Sequence, residues 1–77
     1  MKLVPLVNLA SGETGVVSDI IGGRRAINRL YALGIIPGKK ITKISAMMLH
    51  GPIVVRVGST EIALGFGMAN KIIISRV

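Results

Sequence analysis

The 77 residues, 51% of them hydrophobic, make one domain close to the smallest size that folds without metals or disulfides. Cysteine is absent, which excludes disulfides and thiolate chemistry, and two aromatics, Tyr31 and Phe66, are too few for a base-stacking platform or a proline-peptide groove. Ten Lys and Arg against three acids give a formal charge of +7, which attracts nucleic acid, an anionic membrane face or an acidic protein without choosing among them.

Leu3 to Leu9 reads as an extended arm or a short turn packed on the domain, and Pro5 argues against a regular central strand there. The turn residues Ser11 to Gly15 lead into a first strand, Val16 to Ile21. Strict alternation groups Val16 with Ile20 on one face and Val17, Asp19 and Ile21 on the other. Gly22 and Gly23 close this strand.

From Arg24 to Leu33 the apolar residues Ala26, Ile27, Leu30, Tyr31 and Leu33 have helical spacing, and Arg24, Arg25, Asn28 and Arg29 take the other side. No Ser, Thr, Asp or Asn caps the helix, and arginines in its first turn oppose the macrodipole by a few tenths of a kcal/mol each. This face is either solvated or kept cationic for an acidic partner. Gly34 supplies the left-handed residue that ends many helices, and Ile35 stands where the capping motif wants an apolar contact. Pro37 and Gly38 then turn the chain.

Lys39 to Met48 reads as a strand with a bulge between Ile41 and Ile44, because the apolar residues change phase there. Met47 and Met48 are adjacent, so in a strand they point to opposite faces, and packing in the core and at its rim is expected of them rather than metal ligation. His50, Gly51 and Pro52 form a turn, and His50 is a weak metal candidate because no ligand spacing accompanies it.

Ile53 to Val57 and Thr60 to Leu64 flank Gly58 and Ser59, a two-residue hairpin loop that fixes the register by counting. Val57 faces Thr60, Arg56 faces Glu61, Val55 faces Ile62 and Ile53 faces Leu64, with the opposite charges paired away from the apolar face. Gly65 to Asn70 suits one turn of helix, and Lys71 to Val77 is a last strand, apolar on both faces, that pairs centrally or meets the N-terminal arm.

Catalytic constellations are missing. One His in a turn and three scattered acids supply neither a nucleophile with its base nor a carboxylate pair. Gly22 to Arg25 has no P-loop or dinucleotide fingerprint, so an enzyme is not expected. No run reaches the roughly 18 apolar residues of a spanning helix, and Lys2 with Leu3 to Leu6 is too short for a signal peptide. A soluble, intracellular chain is expected.

Gly12 and Gly15, Arg29-Leu30, the Leu-Gly-Ile-x-Pro-Gly element from Leu33 to Gly38, Gly51-Pro52-Ile53, Ala63-Leu64, Ala69, Ile72 and Ile74 together make a recognisable pattern. On these residues, and above all on the Leu33 to Gly38 element, the chain across its whole length resembles the FeoA family of ferrous iron transport accessory proteins. The resemblance implies a mainly β, SH3-like five-stranded barrel over residues 1–77, with one helix between the first and second strands and a short helical turn before the last. It also implies a cytoplasmic binding partner of the membrane transporter FeoB, expected to meet its GTPase region at the inner face of the membrane. Fe2+ association is implied for the family as a whole. The docking surface expected from the uncapped basic helix and the apolar turn is Arg24, Arg25 and Arg29 with Ile35 and Ile36. The domain also looks like the C-terminal module of iron- and manganese-dependent repressors, and its charge keeps open a nucleic-acid-binding barrel. Gly65 departs from the basic residue common at that place in the family.

Overall fold

The computed structural model describes residues 2–76; Met1 and Val77, at the ends of the expected domain and last strand, lie outside them. Eight elements follow in order: β1 (Lys2–Pro5), β2 (Thr14–Ile20), α1 (Arg24–Ala32), β3 (Lys40–Ala46), β4 (Ile53–Val57), β5 (Thr60–Leu64), α2 (Phe66–Ala69) and β6 (Ile72–Arg76). A 3-10 turn, Leu6–Asn8, follows β1. All strand pairs are antiparallel, in the order β1-β6-β2-β3-β4-β5.

The mainly β expectation therefore holds, with six strands in place of five among the described residues. The added strand is the N-terminal arm. It lies at the sheet edge with Pro5 as its last residue, where a missing N–H costs no ladder bond. β6 is central between β1 and β2, which explains why both of its faces are apolar.

Alternation fails in β2. The register slips between Val17 and Asp19, so Val17 and Ile20 both reach the core, whereas strict counting put them on opposite faces. The bulge expected in β3 lies between Lys43 and Ser45. The β4–β5 register matches the counted pairs, and Gly58 takes the positive φ of 61° that a Gly-X loop requires.

Leu6, Leu30, Ile35, Ile41, Val55, Ile72 and Ile74 are all fully buried, each contributing about 1.5–3 kcal/mol of burial relative to exposure. Lys43 is also buried. Its ammonium donates to the carbonyls of Val7 at 2.9 Å and Leu9 at 2.6 Å, and so fastens the N-terminal arm to the sheet. Among the described residues no helix is long and apolar enough to cross a membrane.

Candidate functional site

Helix α1 begins at Gly23 with no side-chain cap, as its sequence suggested. It ends in the expected left-handed cap: Gly34 has φ 85°, its N–H donates to the Tyr31 carbonyl at 2.9 Å, and the Ile35 N–H donates to the Leu30 carbonyl at 3.0 Å. This double bond pattern brings the residue after the glycine against the last turn of the helix. Ile35 is accordingly buried beside Leu30, both at 0% exposure. Ile35 therefore does not belong to the expected docking surface, because the capping contact consumes its side chain. Ile36, at 38% exposure, remains on the surface. Pro37 and Gly38, the latter with φ 91°, complete a turn closed by a bond from the Lys39 N–H to the Ile36 carbonyl at 3.1 Å.

An open groove of about 570 Å³ runs between the C-terminal half of α1 and strand β5. Arg29 and Leu33 line it from the helix, Ile62 and Leu64 from the strand, and Gly65 and Met68 close one end. Leu33, which helical spacing puts on the apolar side with Leu30, is 42% exposed, because the helix ends before it and the cap turns it toward the groove. Arg25 precedes Arg29 by one helical turn and lies on the same side. Arg24 is about 140° round the helix from Arg29, away from the groove.

Three acids compete for these cations, and none of them reaches α1. Arg56 pairs with Glu61, Arg76 pairs with Glu13 at 2.8 Å, and the Asp19 carboxylate accepts from the Ile20 N–H at 2.8 Å. The hydrogen bond from Arg76, then that from the Ala10 N–H, holds the Glu13 carboxyl below its ordinary range. Arg24, Arg25 and Arg29 are exposed and have no acidic partner among the described residues.

Other candidates fall elsewhere. His50 stacks on Phe66 with ring centroids 4.2 Å apart, and no cluster of three metal-ligating side chains occurs among the described residues. Met47 and Met48 were expected in core and rim, but they are 68% and 87% exposed, beside Leu49 at 96%. The reason is that β3 stops at Ala46 and the chain turns through left-handed Leu49 and His50, so strand alternation no longer carries them inward. Sequence reasoning missed the groove because helical spacing cannot say which strand α1 faces. The buried Lys43 also went unseen, since a lysine in a strand is ordinarily solvated.

Among known proteins, the FeoA domain family matches residues 4–76. A Methanocaldococcus jannaschii protein provisionally named Fe(2+) transport protein A is 33% identical over 72 residues, covering 94% of this chain and 85% of that one. The crystal structure of an iron uptake regulatory protein, FeoA, is 32% identical and superposes with a TM-score of 0.89 over all of both chains. Two further structures share the fold. Stenotrophomonas maltophilia FeoA complexed with zinc, described as a procaryotic SH3 domain protein, has a TM-score of 0.78 at 23% identity, over 91% of this chain and 87% of that one. A manganese-dependent transcriptional repressor has 0.89 at 21%, over 97% of this chain and 42% of the repressor.

Proposed function

This chain belongs to the FeoA domain family, and from that premise we propose that it is a cytoplasmic accessory component of Fe2+ uptake that works by binding and not by catalysis. Its partner in this reading is a FeoB-type membrane transporter, met through the GTPase-containing cytoplasmic region. The observation that carries the proposal is the unpaired basic side of α1 running beside an open apolar groove. An acidic surface with a projecting apolar side chain complements both features at once. Arg25, Arg29 and Leu33 form the centre of this docking surface, and Arg24, on another side of the helix, is left out of it.

Titrating the isotopically labelled domain with the transporter's cytoplasmic region tests the reading. Amide shifts are expected over residues 25–34 and 62–68, and R25E/R29E is expected to weaken binding at least about tenfold, equivalent to 1.4 kcal/mol. Unchanged affinity in that variant removes the proposed surface. Preferential binding to RNA, with a steep loss as salt rises, replaces the proposal with phosphate recognition.

A further inference from the structure

β4 pairs with only one side of β5, leaving β5 at the end of the sheet. The two-residue loop fixes which of its main-chain groups are spent. Thr60, Ile62 and Leu64 face Val57, Val55 and Ile53 in the hydrogen-bonded positions, so the N–H and C=O groups of Glu61 and Ala63 point to the open side. Neither residue makes a main-chain bond elsewhere among the described residues.

The two sheet edges are treated differently. β1 has four residues and carries Lys2 and Pro5, two devices that blunt an edge against strand addition. β5 has no Pro, no Lys or Arg and no bulge, and its only charge, Glu61, is occupied by Arg56. A covering helix is the remaining protection, but α1 stands off from β5 by the width of the groove.

We propose that the free edge of β5 captures an extended, acidic and apolar peptide segment of a partner protein, which adds in the groove as a further antiparallel or parallel strand. The main-chain groups of Glu61 and Ala63 supply the ladder, and Leu33 and Ile62 receive alternate apolar side chains. Arg29 and Arg25 select acidic residues on the segment, because no acid of this chain neutralises them among the described residues. The groove volume of about 570 Å³ lies within the range of about 300–1,000 Å³ usual for ligand clefts. A second copy of the chain is the less suitable occupant, because joining two β5 edges brings together two domains of charge +7 and two sets of helix arginines.

This inference rests on the reading of the domain as a docking module and specifies how docking occurs. The probe is a blocked heptapeptide of alternating valine and glutamate, titrated into the labelled full chain. Shifts are expected at residues 29–33 and 61–65, and exchange of the Ala63 amide hydrogen is expected to slow by about tenfold, the effect of a 1.4 kcal/mol bond. The same peptide with lysine for glutamate is expected to bind at least about tenfold more weakly. A glutamate-valine peptide N-methylated at alternate residues, which cannot complete the ladder, is expected to lose binding, as is the variant A63P. Ala63 occupies a position that gives no bond to β4, so proline there leaves the hairpin ladder intact.

Equal binding of the methylated peptide, shifts spread over the basic surface without slower Ala63 exchange, or no shift at about 1 mM peptide each overturns strand addition. Slower Ala63 exchange on raising protein concentration alone assigns the edge to a second copy and overturns it too. A transporter region that shifts Arg25 and Arg29 while Ala63 exchanges freely keeps the docking function and removes only this mode of it.

Discussion

Replacing Lys43 by methionine tests whether the N-terminal arm is held by a buried charge. The Lys43 stem is packed at 6% residue exposure, and methionine, similarly long and unbranched, retains most of that packing. Lost are two hydrogen bonds from an ammonium, to the carbonyls of Val7 and Leu9, each worth about 1.5–3 kcal/mol. Regained is the cost of desolvating the ammonium, several kcal/mol, which offsets much of that loss. The residual effect is set by the orphaned acceptors. Val7 is half-buried and its carbonyl finds water, but Leu9 is 2% exposed, and leaving its carbonyl unsatisfied costs about 1–3 kcal/mol. K43M is therefore expected to lower stability by about 1–3 kcal/mol, with Tm falling about 4–8 °C per kcal/mol for a domain of this size. Thermal unfolding by circular dichroism measures the loss. Hydrogen exchange locates it, with faster exchange expected at Val4 and at Leu9, whose N–H bonds to the Leu6 carbonyl. A variant that melts at or above the parent temperature, with Val4 and Leu9 equally protected, refutes the fastening role and shows that desolvation outweighs the two bonds.

Two further outcomes follow from the geometry. Ile35→Ala is expected to cost about 2–5 kcal/mol by opening a cavity beneath the helix cap, while Ile36→Ala stays within about 0.5 kcal/mol; paired urea titrations decide, and equal losses refute the burial of Ile35. The Glu13 carboxyl titrates lower in the folded chain than its ordinary value of 4.5, so it adds stability above that pH and loses it as pH falls through the folded value. The stability difference between the parent and E13Q is expected near neutrality and expected to vanish in acid, and a difference that grows in acid refutes the assignment.

Legibility in the sequence followed the range of the interaction. The β4–β5 register was countable because two residues of loop determine it, and the cap at Gly34 was readable because its hydrogen bonds close within one turn. The β3 bulge showed as a phase change, but the β2 bulge did not, because Val16, Val17, Ile20 and Ile21 are apolar on either count. The Lys43 bonds join residues 34 and 36 positions apart, and nothing local marks the acceptors. The same limit hid the groove. Arg29 and Leu33 were visible as helix residues, while Ile62 and Leu64 read only as one side of a hairpin.

The burial of Ile35 also separates what holds the domain together from what it offers to a partner. In the Leu-Gly-Ile-x-Pro-Gly element, Gly34 and Gly38 take left-handed backbone, Ile35 fills the core and Pro37 turns the chain. Four of its six residues are thus accounted for by folding, and they give no reason to expect contact with another protein. Their effect on binding is indirect: anchored at Leu30 and Ile35, α1 is held at a fixed distance from β5, and the groove is what remains between them. In the proposed docking, partner choice falls to the side chains that folding leaves free, Arg25, Arg29 and Leu33, and to the main-chain groups of Ala63. Because one fold hosts many functions, and this fold recurs in an iron uptake regulatory protein and over 42% of a manganese-dependent transcriptional repressor, a partner has to be argued from these free groups and not from the fold.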